Sequence, residues 1–138
     1  MLTVNPYLNF NGDCKEAMEL YARVLGGKLD IQTFGESPMA SQVGPSMKDL
    51  VIHARLSIGD AVLMASDAPA DKYQRPQGTF VSINVDGAAD ADRIFNALAE
   101  GGSVDMPIQE TFWATRFGML VDQFGIPWMV NCEERSAA

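Results

Sequence analysis

Polar and apolar residues change their spacing several times along this chain, and each change marks an element. Asn5 to Phe10 alternate as a strand does, with Leu8 and Phe10 on one side and Asn5, Tyr7 and Asn9 on the other. Asn11-Gly12-Asp13 then forms a turn able to cap a helix. From Cys14 to Leu25 the spacing becomes helical, placing Ala17, Leu20, Tyr21 and Val24 on one face. Gly26-Gly27 ends the helix, and a strand over Lys28–Phe34 follows. Gly35 to Lys48 has no period and is rich in Gly, Pro and Ser, which predicts a loop long enough to act as a lid. Alternation returns over Asp49–Ile58, with Ile52, Ala54, Leu56 and Ile58 toward the core and Val51, His53, Arg55 and Ser57 away from it. Gly59-Asp60 turns the chain into a strand over Ala61–Ser66, and Asp67 to Gly78 is a turn-rich linker.

The rest of the chain repeats this plan. A strand over Thr79–Val85 leads through Asp86-Gly87 into a helix over Ala88–Glu100, with Ala91, Ile94, Phe95 and Leu98 inward. Gly101-Gly102 closes it, and Gln109 to Asn131 reads as two short strands around an Asp-Gln-Phe-Gly turn. Matching Leu8 to Ile83 also matches Asn9 to Asn84, Gly12 to Gly87 and Gly26-Gly27 to Gly101-Gly102, with no gap. Further along, Gly59 matches Gly125, Leu63 matches Met129 and Ala65 matches Asn131. An internal repeat of this kind sets the fold class. The chain is expected to be α+β, a βαβββ module used twice within one domain over 1–138, the modules spanning about 3–67 and 78–133.

Composition narrows the possible partners. At 138 residues, 47% hydrophobic and 20% charged, the chain can bury its own core without metal or disulfide staples. No apolar run reaches the length of a membrane span, and MLTVNPYLNF lacks the basic segment of a secretory signal, so a cytoplasmic protein with no membrane partner is expected. A net charge of −8 with ten scattered Lys and Arg argues against nucleic acid. Cys14 and Cys132 have no metal-type spacing and read as buried structural thiols. A helix start can lower a thiol pKa, which leaves Cys14 a lesser option as a nucleophile.

A doubled βαβββ unit of this length resembles the vicinal oxygen chelate superfamily, which includes glyoxalase I, extradiol dioxygenases and bleomycin-resistance proteins. Within it, PYLNFNGDCKEAMELY, GDAVLMASDA and ETFWATRFGMLVDQFGIPWMVN are similar to the PhnB-like branch, whose members often carry a 3-demethylubiquinone-9 3-methyltransferase label. The resemblance implies a curled mixed sheet around a cleft, with helices outside and the mixed strand faces lining the cleft. Those faces carry Asn5, Tyr7, Asn9, His53, Arg55, Phe80, Ser82, Asn84, Trp113, Met119, Met129 and Asn131. Small members of the superfamily pair, which implies a homodimer. Metal-dependent relatives take His or Glu ligands from the first and last strand of each module. Carried over by position, these places fall on Asn5, Leu63, Phe80 and Met129, none an ordinary ligand for a divalent metal. With one His in the chain, a two-His-one-carboxylate set cannot form.

The chemistry-bearing candidates each have a structural and a functional reading. His53 is either a hydrogen-bonded core histidine or a general base or substrate donor. Arg55 either forks onto a carboxylate or phosphate of a ligand or pairs with an acid of the chain. Phe112 and Trp113, beside Glu110, Thr115 and Arg116, either close the end of a sheet or stack on a flat ligand. Met119 and Met129 offer an adaptable apolar wall. No P-loop, dinucleotide-binding fingerprint or Gly-x-Ser-x-Gly elbow is present, nor a glycine-rich motif for S-adenosylmethionine. The expectation is a metal-free cleft without a cofactor that binds a small organic molecule through Tyr7, Asn9, Arg55, Phe80, Phe112, Trp113, Met119 and Met129. The alternative is an enzyme acting on a small oxygenated substrate with His53 as acid or base, with or without a divalent metal. A weaker alternative places a metal at His53 and nearby acids, outside the family positions.

Overall fold

The computed structural model describes residues 1–133, and the chain divides into two compact units, Met1–Gln74 and a second from Arg75 onward. The first unit runs β1 (Tyr7–Phe10), α1 (Cys14–Leu25), β2 (Lys28–Thr33), β3 (Val51–Ile58) and β4 (Ala61–Asp67). The second runs β5 (Val81–Val85), α2 (Ala88–Ala99), β6 (Ser103–Gln109), β7 (Arg116–Val121) and β8 (Pro127–Cys132). Each is a βαβββ module, as the repeat predicts.

Each module builds one mixed four-stranded sheet, in the orders β1-β4-β3-β2 and β5-β8-β7-β6. The first and last strands of a module pair in parallel, and the other neighbours are antiparallel. One face of each sheet lies under its helix. In the first unit α1 buries Cys14, Ala17, Met18, Tyr21 and Val24 among Leu8, Phe10, Leu56, Leu63 and Ala65. Met18 fills the place expected of Leu20, which is only half-buried. In the second unit α2 buries Ala91, Ile94, Phe95 and Leu98 alongside Leu120, Ile126, Trp128 and Val130. Gly118 in β7 lies beneath the Phe95 ring, where an added Cβ would stand 2.6 Å from Phe95 Cε2. Each fully buried large apolar side chain contributes roughly 1.5–3 kcal/mol.

Two local departures from the expected pattern have physical causes. Gln32 pairs with His53 but Thr33 pairs with Val51, so Ile52 is an extra residue on β3. This bulge reverses the phase at the strand start. Val51 is buried at 1% exposure and Ile52 is half-buried, the opposite of the simple alternation, which holds from His53 onward. The second departure lies at the start of α1. Asp13 occupies the cap position without a side-chain capping bond. The cap comes instead from Asp67, at the end of β4: its Oδ1 accepts the N–H groups of Gly12 (2.9 Å) and Cys14 (3.0 Å), and its Oδ2 accepts that of Val51 (2.9 Å). One buried carboxylate therefore ties three segments of the first unit together.

The stretch read as a lid is structured by its own backbone. Gly35 N–H donates to the Lys48 carbonyl at 2.9 Å, Phe34 N–H to that of Leu50 at 2.9 Å, and 3-10 turns form over Ala40–Gln42 and Pro45–Met47. Strand β6 holds Pro107 at the sheet edge, where a missing N–H costs no ladder bond. No helix among the described residues is long and apolar enough to cross a membrane.

Candidate functional site

The face of each sheet turned away from its helix carries the polar and aromatic residues. In the first unit, Arg55 and Tyr7 both pair with Met64, so the three form one row across β3, β4 and β1. In the neighbouring row lie His53 and Asn9, with Ser66 Oγ bonded to Asn9 Oδ1 at 3.4 Å. The two rows touch: Tyr7 OH lies 3.3 Å from His53 Nδ1, and their rings stand 5.9 Å apart. His53 is exposed, so it is not the core histidine that its apolar neighbours suggested. Arg55 is exposed as well; Asp30 stands opposite it on β2, and Arg55 makes no ion pair among the described residues.

The second unit places Met119 opposite Met129, and Met129 opposite Ser82 on β5. The next row holds Phe117, Asn131 and Asn84. Trp113 packs its ring edge-on against Phe112 (4.7 Å) and Phe117 (5.3 Å). The loop bearing them is fixed by Thr111, whose N–H donates to the Ala114 carbonyl and whose Oγ1 accepts the Ala114 N–H. Phe112 is 91% exposed and Trp113 38%, so neither closes the sheet as core. Phe80 precedes β5 and is half-buried. Arg116 is engaged elsewhere, its Nε donating to Asp92 on α2 at 3.1 Å.

The strand register corrects one match within the repeat. Tyr7 pairs with Met64 and its counterpart Ser82 pairs with Met129, so the equivalent of Met129 is Met64 and not Leu63. Leu63 faces the core at 5% exposure. The slip arises at the turns. Ile58 pairs with Ala61 across Gly59-Asp60, whereas Val121 pairs with Pro127 across Asp122 to Ile126. The family's metal positions thus become Asn5, Met64, Phe80 and Met129, an amide, two thioethers and a phenyl ring. This set does not suit a divalent metal of the zinc, iron or manganese type, which needs imidazole, carboxylate or thiolate donors. No three His, Cys, Asp or Glu side chains gather anywhere among the described residues.

Sequence reasoning passed over two buried aspartates. Asp67 is the clamp described above. Asp122 organises the β7–β8 turn: Oδ1 accepts the N–H groups of Phe124 (2.8 Å) and Ile126 (3.0 Å), and Oδ2 accepts the indole N–H of Trp128 (2.8 Å). The Asp-Gln-Phe-Gly motif signalled that turn, although the Trp128 bond needs the folded hairpin.

The cysteines behave as structural groups. Cys14 is fully buried, and its thiol is pushed up to about 12 from 9.0, first by loss of water and then by the neighbouring Asp67 and Asp13 carboxylates. The helix start does not activate it. Native protein at pH 8 is expected to leave Cys14 unmodified by a disulfide reagent, which labels it once urea unfolds the chain. The folded thiol stays protonated where the unfolded one ionises. Its stabilisation is therefore complete below pH 9.0 and is lost as pH rises toward about 12. Urea midpoints measured across that range check the sign.

Two mixed βαβββ sheets, each with one helix-covered face and one polar-aromatic face, define a glyoxalase-type fold. The sequence model of the Glyoxalase/Bleomycin resistance protein/Dioxygenase superfamily matches residues 3–130, and the chain belongs to that family. Among curated proteins it is 35% identical to Protein YjdN of Escherichia coli strain K12, over 94% of this chain and 95% of that one. Among solved structures it is similar to protein PA1353 from Pseudomonas aeruginosa, with 50% identity, a TM-score of 0.90 and coverage of 98% and 100%. A PhnB protein from Bacillus cereus shares the fold at 22% identity and a TM-score of 0.78, covering 95% and 99%.

Proposed function

We propose that this protein binds a small organic molecule bearing an oxygen anion, without a metal, on the exposed face built by Tyr7, Asn9, His53 and Arg55. The observation that supports this most is the exposed guanidinium of Arg55, which makes no ion pair among the described residues, in one row with Tyr7, whose hydroxyl meets His53. A planar fork of N–H donors fits a carboxylate or phosphate, and the Tyr7–His53 couple adds directional polar groups beside it. Where metal-dependent relatives carry ligands, the donor set of this chain does not suit an ion, and that agrees with a metal-free reading. In the second unit, taken by itself, Phe80, Phe112, Trp113, Met119 and Met129 are read as apolar contacts that its own polar-aromatic face offers to a small organic molecule. The same reading includes a cytoplasmic homodimer with no nucleic-acid or membrane partner.

Benzoate serves as a probe in an amide-shift titration of the full chain purified without added metal. Saturable shifts at Tyr7, His53 and Arg55 are expected. Arg55→Ala is expected to weaken binding about tenfold, the size of one charged hydrogen-bonding pair. Shifts that map elsewhere, or an Arg55→Ala variant that binds equally well, would sink the reading. Native mass spectrometry of the same preparation tests the dimer and shows whether a divalent ion is carried in stoichiometric amount.

The Tyr7–His53 contact also supports the enzymatic alternative. A hydroxyl at Nδ1 leaves Nε2 open to exchange a proton with a bound substrate. The two readings separate on His53→Ala and the organic molecule retained in native mass spectra. Retained binding with lost turnover favours the enzyme, and absence of turnover in the parent protein favours binding alone.

A further inference from the structure

We propose that Asn11-Gly12 is a deamidation site that the Asp67 carboxylate holds inactive in the folded chain. It lies in the turn between β1 and α1 and does not rest on the ligand reading above. Asn-Gly occurs once in the sequence. Asn11 is exposed, and no hydrogen bond anchors its amide among the described residues. Gly12 is exposed too, with a φ of +96°, a conformation that favours glycine over any residue bulky enough to shield the bond. The reaction open to this pair needs only water. The Gly12 backbone nitrogen loses its proton and attacks Asn11 Cγ, forming a C–N bond. The Asn11 amide nitrogen takes up a proton and leaves as ammonia. Water then opens the five-membered succinimide at either carbonyl, giving aspartate or an isoaspartate whose main chain runs through the former side chain.

Asp67 opposes the first step. Its Oδ1 accepts the Gly12 N–H at 2.9 Å, so the attacking nitrogen is committed to a buried carboxylate. An amide anion formed there would face a full negative charge, and like charges disfavour ionisation. Asp67 is also a poor base for that proton, because the Cys14 and Val51 N–H groups occupy the same carboxylate at 3.0 and 2.9 Å. The repeat supplies a contrast. Phe10 pairs with Asp67, and its match Val85 pairs with Cys132, so the second module carries a thiol at this place. The second turn reads Asp86-Gly87, and the carboxylate thus accompanies the more reactive Asn-Gly pair. Isoaspartate, once formed, adds a carbon to the main chain before Gly12. The Gly12 and Cys14 N–H groups then no longer meet one oxygen together. A new charge also enters, beside Asp13, the turn that Asp67 clamps. An opening of this turn that lasts long enough for the reaction is thereby made irreversible.

The test incubates the full chain at pH 8 in buffer and in guanidinium chloride above its unfolding midpoint. Mass spectrometry follows the tryptic peptide Met1–Lys15, and fragmentation locates the change at Asn11. The unfolded chain is expected to deamidate at least about tenfold faster than the native one, as release of one charged hydrogen bond predicts. In native buffer Asp67→Ala is expected to give a similar acceleration. Asp67→Asn, which keeps an oxygen for Gly12, and Gly27→Ala, which strains the same unit elsewhere, are expected to stay near the parent rate. These two variants separate release of Gly12 from loss of stability. A variant-free readout uses the parent chain: Gly12 amide exchange and Asn11 deamidation are expected to rise together as denaturant is added, since one opening exposes both. Equal rates in the native and unfolded chain would overturn the proposal. So would deamidation in Asp67→Ala that is no faster than in the parent, an equal acceleration in Gly27→Ala, or Gly12 exchange that rises without deamidation.

Discussion

Asp67→Ala is expected to lower the stability of the chain by about 4 kcal/mol, seen as a large fall in the urea midpoint with the slope unchanged. The side chain is 5% exposed and accepts three backbone N–H groups, from Gly12, Cys14 and Val51. Alanine leaves all three without their partner, two of them buried. It also leaves the first turn of α1 uncapped, since Asp13 makes no side-chain capping bond. Asp67→Asn keeps one oxygen for Gly12 and Cys14 but turns an N–H₂ toward the Val51 donor, so an intermediate loss is expected. A fall below about 1 kcal/mol for the alanine variant, the worth of an ordinary single hydrogen bond, would show that water replaces the clamp. Because the turn after β1 hangs on Asp67, the variant is also expected to loosen Tyr7 and Asn9 on the exposed face.

A loss of at least about 3 kcal/mol is expected for Gly27→Ala, from two costs that act together. Gly27 has a φ of +96°, and a Cβ there would stand 2.3 Å from the carbonyl oxygen of Ser57 and 3.0 Å from its carbon. Both atoms belong to the backbone of β3, so no side-chain rotation can make room. Gly26 provides the internal comparison. Its φ is +80°, yet nothing lies within 4 Å of an added Cβ. Gly26→Ala should therefore show the left-handed strain alone, about 1–2 kcal/mol. Gly102→Ala should show the contact cost alone, with Cβ 2.2 Å from the Val121 oxygen. Thermal or urea melts of the three variants check the ranking, and equal effects at Gly26 and Gly27 would contradict it.

The Gly-Gly pairs show how far the sequence could be read. Their repetition located both helix ends and supported the doubled module, because a helix terminus needs a residue free of Cβ constraints. The second glycine of each pair serves another purpose, the close approach of a strand carbonyl from the same unit. That approach follows from packing, and no local pattern announces it. Asp67 is similar: it sits where β4 meets a turn-rich linker and read as linker chemistry, while its partners are distant in the chain. His53 looked like a core residue for the same reason. Alternation told which residues share a side, but Leu56 and Ala54 could not tell how deeply His53 would sit.

Periodicity and the internal repeat by themselves determined the βαβββ modules, the helices and the apolar stripes, since these depend on spacing along the chain. They also placed Tyr7 with Asn9, and His53 with Arg55, each pair on one side of its own strand. Only the tertiary structure decided the register. The bulge at Ile52 and the unequal β3–β4 and β7–β8 turns each shift a strand by a residue, and a shift of one exchanges core for surface. That is why Met64, and not Leu63, stands beside Tyr7 and Arg55. It is also why the contact between Tyr7 and His53 comes into view only in the folded chain.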